Sequence, residues 1–237
     1  MSQKNAARTA RFIASLSKTV FTLTVSLLLL TLFIAETKAA PGDLDQSFGG
    51  GRVLTQINAS NDWGKAVAVQ PDGKIVVAGK TYYNAAESEW CALVRYNPDG
   101  SLDTSFDGDG NVTQNYQNNV EEYNSIAIQP DGKIVVAGYY YAGSNYNFII
   151  ARFTANGQPD TTFNGGGYRA FDVSGASRNN GAYGVAVQPD GKIVAVGWVY
   201  SGSNDDFVVI RLNANGSTDT TTEVAAARAR PRRRSAC

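Results

Sequence analysis

The string QPDGKIVVAG occupies residues 70–79, returns unchanged at 129–138 and recurs as QPDGKIVAVG at 188–197, so the chain repeats every 59 residues. A module of that size cannot bury its own apolar face and must stack on its neighbours. That limits the architecture to solenoids, propellers and related arrays.

Within the second module the pattern reads as four strands. Ser125 to Gln129 alternates apolar and polar residues, and Pro130-Asp131-Gly132 then reverses the chain. Ile134 to Tyr140 and Phe148 to Phe153 are rich in β-branched and aromatic side chains, the latter closed by Ala155-Asn156-Gly157. The fourth run, Tyr168 to Phe171, follows Asp160-Thr161-Thr162-Phe163 and the glycines at 165–167. Val53 to Ile57 reads as one more fourth-type strand ahead of the first full module. The third module lacks its own, so this leading strand would close the last unit.

The expected fold is all-β: a β-propeller-like array of about three four-stranded blades, over modules at about 43–101, 102–158 and 159–221. Propellers run from four to eight blades, so three imply an incomplete ring. Two readings remain, a fragment of a longer protein or a homo-oligomer in which two copies complete a ring of six.

Superposing the modules shows what each position does. Val67 and Val69 answer to Ile126 and Ile128 and to Val185 and Val187, with Ala66, Ala68, Ala127 and Ala186 on the alternate face. Small side chains there suit a first strand near a crowded central axis. Arg95, Arg152 and Arg211 recur near the end of the third strand, and Asp45, Asp103, Asp160 and Asp219 just past the following turn. A guanidinium and a carboxylate repeated once per module read as a structural stitch from strand to turn.

The ordered motifs Gln-Pro-Asp-Gly-Lys-Ile-Val, Val-Arg-Tyr-Asn-Pro-Asp-Gly and Leu-Asp-Thr-Ser-Phe followed by Gly-Asp-Gly resemble the delta-60 repeat, a bacterial family of about this period. The resemblance covers residues 43–221. It implies a β-propeller-like fold and a cell-surface or secreted protein of unassigned function, and it carries over no catalytic residues.

The two ends differ from the modules. Lys4, Arg8, Arg11 and Lys18 precede an uncharged apolar run from Val20 to Ala35, and Thr37-Lys38-Ala39 offers small residues for a signal peptidase. Residues 1–39 therefore read as a signal peptide, with an uncleaved membrane anchor as the alternative. No cysteine near the junction indicates lipid attachment. At the other end the pattern breaks at Thr222. An Arg/Ala-rich tail over 223–237 follows, read as a frame-shifted continuation or a disordered basic segment.

Without both ends, residues 40–222 hold 11 Lys plus Arg against 19 Asp plus Glu. An acidic body argues against a nucleic-acid partner, because phosphate binding needs a basic groove. It suits an extracellular protein kept soluble by net charge and able to attract divalent cations.

Up-and-down strands would place the second-to-third and fourth-to-first loops on one face, where binding usually resides. The candidate ligand-binding rings near that face are Tyr82, Tyr140, Tyr146, Trp198 and Tyr200, set among Asn, Ser and Gly. They suit a glycan or a surface protein as partner, and their alternative role is packing between blades. Asp107 and Asp109 alternate in a glycine-rich loop and are the candidate calcium ligands, against a plain turn-forming role.

Enzyme chemistry has little footing. The chain has no histidine, which removes the commonest general base and every histidine metal site. The paired acids Glu121-Glu122 and Asp205-Asp206 fall in different modules with no shared template and read as surface charge. Two cysteines, Cys91 and Cys237, make no disulfide framework. The sequence thus points to an exported, non-catalytic module for binding or structural roles. The runner-up is a calcium-dependent hydrolase of lactonase or glycosidase type.

Overall fold

The computed structural model describes residues 40, 42–83, 88–116 and 120–220. The leader, the Arg/Ala-rich tail and the loop residues 84–87 and 117–119 lie outside the described residues. The chain divides between Asp45 and Gln46 into two units. In the first, the Ala40 amide donates to Asp43 Oδ2 at 2.8 Å.

Among its described residues the second unit contains three antiparallel sheets. Sheet 1 is β1 (Asp62–Val69), β2 (Ile75–Tyr82), β3 (Glu89–Tyr96) and β4 (Asn111–Gln114). Sheet 2 is β5 (Glu121–Ile128), β6 (Ile134–Tyr141), β7 (Tyr146–Phe153) and β8 (Tyr168–Phe171). Sheet 3 is β9 (Asn180–Val187), β10 (Ile193–Tyr200) and β11 (Asp205–Leu212). Each sheet keeps chain order from first strand to last, none is closed, and the fold is a β-propeller-like array.

The repeated turn explains itself locally. Asp72, Asp131 and Asp190 each accept the amide of the lysine two residues on, at 3.1, 3.2 and 3.2 Å. The glycine that closes the repeated string, Gly79, Gly138 or Gly197, solves a different problem. A Cβ there would stand 1.8–2.0 Å from the carbonyl oxygen of Trp63, Glu122 or Gly181 on the first strand. That close approach coincides with a bulge, which leaves Lys65, Asn124 and Tyr183 as the extra residue of β1, β5 and β9.

Face-to-face stacking buries the core in two layers. Val76, Ala78 and Leu93 of sheet 1 meet Ile134, Val136 and Ile149 of sheet 2. On the opposite face of sheet 2, Val135, Ala137, Phe148 and Ile150 meet Ala182, Ile193 and Ala195 of sheet 3. The first strand β5 touches β1, β2 and β3, and β9 touches β5, β6 and β7. First strands thus converge, as the small residues at 66, 68, 127 and 186 led us to expect.

The recurring arginines hold these layers. Arg95 Nε donates to Asp103 Oδ2 at 2.7 Å and Nη2 to Ser105 Oγ at 3.1 Å, while Nη1 reaches across to the Ala155 carbonyl of the next module. Arg152 repeats the set with Asp160 at 2.8 Å, Thr162 at 3.1 Å and the Ala214 carbonyl at 2.5 Å. Their guanidinium carbons lie 4.6 and 4.9 Å from the centroids of Phe106 and Phe163. The stitch is therefore also a staple between modules. Burial pushes the Asp103 and Asp160 carboxyls up, but hydrogen bonds from Ser105 and Thr162 and the facing cations outweigh it and hold both below the usual range.

Two expectations are corrected. Val53–Ile57 forms no strand, although Val53, Thr55 and Ile57 are half-buried and Leu54 and Gln56 exposed, the alternation of an extended segment. It lies on sheet 1, where the Tyr96 hydroxyl donates to Thr55, and among the described residues it has no ladder partner and closes no sheet. Glu121 and Glu122 are 0% and 3% exposed rather than surface charges. Glu121 accepts the Tyr116 amide at 2.8 Å. Glu122 takes Lys65 at 3.0 Å and Lys80 at 3.1 Å, which makes it an ion pair across the seam between sheets 1 and 2. Asp205 and Asp206 are exposed.

Candidate functional site

A cleft of about 370 Å³ opens at the outer part of the seam between sheets 1 and 2, lined by Tyr116, Tyr140, Asn164, Gly166, Tyr168 and Ala170. β4 stops at Gln114, and Tyr116 just beyond it stands against Tyr168 of β8, the outer strand of sheet 2.

Each wall residue is positioned by a separate device. Tyr116 follows β4, where its backbone amide is held by both Glu121 oxygens at 2.8 Å and its hydroxyl pairs with the Tyr123 hydroxyl. Burial pushes both phenols well above their usual range, so they remain neutral hydrogen-bonding groups. Tyr168 begins β8, and its ring lies 4.7 Å from that of Tyr116 at a 53° tilt. Asn164 sits in the loop before β8 at φ 50°, its amide nitrogen bonded to the Tyr168 carbonyl at 3.0 Å. Tyr140 comes from β6 and is 9% exposed, against 41% for Tyr168.

The cleft thus offers phenol rings, a side-chain amide and a glycine that leaves room. Such a surface suits a ligand with C–H faces and hydroxyl or amide groups.

Of the five rings singled out in the sequence, this cleft gathers Tyr140. Tyr82 packs edge-on to Trp63 at 5.0 Å. Tyr146 lies 5.3 Å from both Tyr139 and Tyr141. Trp198 is half-buried, its indole N–H near Gly181 and without an acceptor among the described residues. The Tyr200 hydroxyl donates to the Gly202 carbonyl at 3.0 Å. Tyr116, Asn164 and Tyr168 were missed as site residues, because they meet only through the stacking of two sheets.

The loop acids are engaged by hydrogen bonds. Asp107 accepts from Gln158 beyond β7 of sheet 2, and Asp109 from the Asn111 amide at 3.0 Å. Burial and the neighbouring Asp109 charge raise the Asp107 carboxyl, while the Gln158 bond opposes them. Among the described residues no three His, Cys, Asp or Glu side chains gather to hold a metal, and no helix is long and apolar enough to cross a membrane.

No curated protein matches this chain. Among solved structures, a fucose lectin from Kordia zhangzhouensis in complex with methyl-fucoside aligns over 67% of this chain and 99% of its own, at 9% identity and a TM-score of 0.38. Residues 70–106, 129–163 and 188–221 match a family model described as a domain of unknown function (DUF5122) beta-propeller. Each matched stretch starts at the repeated Gln-Pro-Asp-Gly turn, and together with the stacked sheets they support a β-propeller-like repeat family.

Proposed function

We propose that this chain is a non-catalytic binding module of the cell surface, and that the cleft between sheets 1 and 2 takes a carbohydrate. The observation that carries this reading is the convergence of Tyr116, Tyr140, Tyr168 and Asn164 on one cavity of about 370 Å³. Sugar C–H faces pack on phenol rings, and sugar hydroxyls hydrogen-bond to phenols and amides. Among the described residues the lining is phenol rings, an amide and small residues, a surface that supports holding a ligand. The export leader read in residues 1–39 supports a location outside the cell.

Titration calorimetry against a panel of neutral and acidic oligosaccharides tests the proposal. Binding by the full chain that weakens at least tenfold in Tyr168→Ala is the expected result. No binding to any glycan in the panel, or binding that Tyr168→Ala leaves unchanged, would overturn it.

A further inference from the structure

Sheet 2 is covered on both faces, whereas among the described residues one face of sheet 3 is open and the corresponding face of sheet 1 carries only residues 53–57, and the two faces are complementary by the repeat itself. Phe207, Val209 and Val196 of sheet 3 occupy the module positions of Phe148, Ile150 and Ala137, which are fully buried in the seam between sheets 2 and 3. Here Phe207 is 92% exposed and Val209 57%. On sheet 1, Val67 and Val69 are 64% and 62% exposed, while their counterparts Ile126, Ile128, Val185 and Val187 pack into the two cores. Apolar area on this scale marks an interaction surface.

The backbone is complementary as well. β11 is the outer strand of sheet 3 among the described residues, where it pairs with β10 alone. Residues 53–57 are extended along sheet 1 with no ladder partner among the described residues. Val53-Leu54-Thr55 stands at the position of Val112-Thr113-Gln114, which pair with β3 as the fourth strand of sheet 1: a Cβ on Gly100 would lie 3.0 Å from Val53 Cγ2, as one on Gly157 would from Val112 Cγ2. The approach to this segment already follows the module pattern. Gly49 N–H donates to the Asp99 carbonyl at 2.9 Å, as Asp107 does to Asn156 at 2.9 Å and Asn164 to Asn215 at 2.8 Å. Among the described residues a fourth-type segment thus lies on sheet 1 outside any ladder, and sheet 3 ends at β11, beside which such a strand would fit.

The seam residues agree. In the first seam Lys65 and Lys80 meet Glu122, charge on charge. In the second, Tyr139 lies over Gly181, and Asn124 donates to the Ala182 carbonyl at 2.9 Å. The same module positions carry Tyr183 and Trp198 on sheet 3 and Trp63 on sheet 1, aromatic rings of which Tyr183 and Trp63 are exposed.

We infer that a second copy of this chain docks head to tail, with its residues 53–57 completing sheet 3 along β11 and its sheet 1 covering Phe207 and Val209. Two such contacts close a ring of six sheets, inside the range that propellers occupy.

Light scattering on the full chain, with circular dichroism to verify folding, tests this. Twice the monomer mass is expected, reduced to the monomer by Phe207→Lys on sheet 3 and by Val67→Lys on sheet 1, both exposed in a single copy. Mixing the two variants leaves one intact seam and restores a dimer, which a face-to-face dimer of like surfaces would not do. Val209→Lys replaces Phe207→Lys if the latter unfolds. A monomeric wild type, a dimer indifferent to either substitution, or no recovery on mixing would overturn the inference.

Discussion

The Phe106 ring, between β3 and β4 of sheet 1, occupies the space beside Gly157, beyond β7 of sheet 2, so closely that a Cβ on that glycine would stand 3.0 Å from Phe106 Cε2 and Cζ. Gly157 also holds φ 91°, and Gly216 repeats both features at φ 82° with Phe163 at 2.8 Å. The glycine of the second turn is therefore a socket for the preceding sheet's phenylalanine. Gly157→Ala would meet backbone strain and a clash together, and we expect a loss of about 2–4 kcal/mol, read by urea denaturation.

Arg152 is buried with Asp160, Thr162 and the Ala214 carbonyl around it. Arg152→Ala leaves the buried Asp160 carboxylate with the Thr162 amide and hydroxyl on Oδ1 and only the half-buried Lys133, at 3.4 Å, facing Oδ2. A destabilisation of about 3–5 kcal/mol is expected in equilibrium unfolding. Arg152→Lys retains the charge without the fork and falls between the two.

Acid should loosen the seams in a defined window. Asp103, Asp160 and Asp172 are held below the ordinary carboxylate range when folded. Their contribution is complete above the unfolded value of about 4 and drains away as pH falls from there toward the lowered folded values. The melting temperature should be flat from about pH 7 to 5 and fall below about 4. The Asp160→Asn variant should start lower and fall less steeply.

Cys91 is fully buried, and burial pushes its thiol well above the usual range. Iodoacetamide at pH 8 should leave the Cys91 peptide unmodified in native protein and alkylate it in guanidinium, as peptide mapping will show.

Tyrosines of the cleft should separate by burial. Tyr140 belongs to the core between sheets 1 and 2, so Tyr140→Ala should cost about 3–5 kcal/mol, whereas Tyr168→Ala should stay within about 1 kcal/mol. Thermal melts of both decide which one is a clean probe of binding.

What the sequence disclosed follows the distance over which each interaction acts. The Pro-Asp-Gly turn, the strand at Ile134–Tyr141 and the Arg95–Asp103 pair are settled within eight residues, so composition and period reveal them. The reach of Arg95 to Ala155 spans 60 residues, and only stacked sheets bring those groups together. Glu121 and Glu122 looked like surface charge because their partners, Lys65, Lys80 and the Tyr116 amide, lie in another sheet or a preceding loop. Val53–Ile57 carries a strand pattern and lacks a strand neighbour, and a ladder needs both. The cleft was invisible for a similar reason: Tyr116, Tyr140 and Tyr168 come from three separate stretches of chain.

The unequal polar contacts between sheets bear on how a chain with three near-identical strings avoids confusing them. Lysines that seek Glu122 find no acid at Gly181, and Tyr139, fitted over that glycine, has no such opening at Glu122. Swapping two modules during folding would strand a buried ion or crowd a ring. Their linear order is thereby written into the assembled protein, and exchange between neighbouring molecules carries an energetic penalty wherever unlike seams meet.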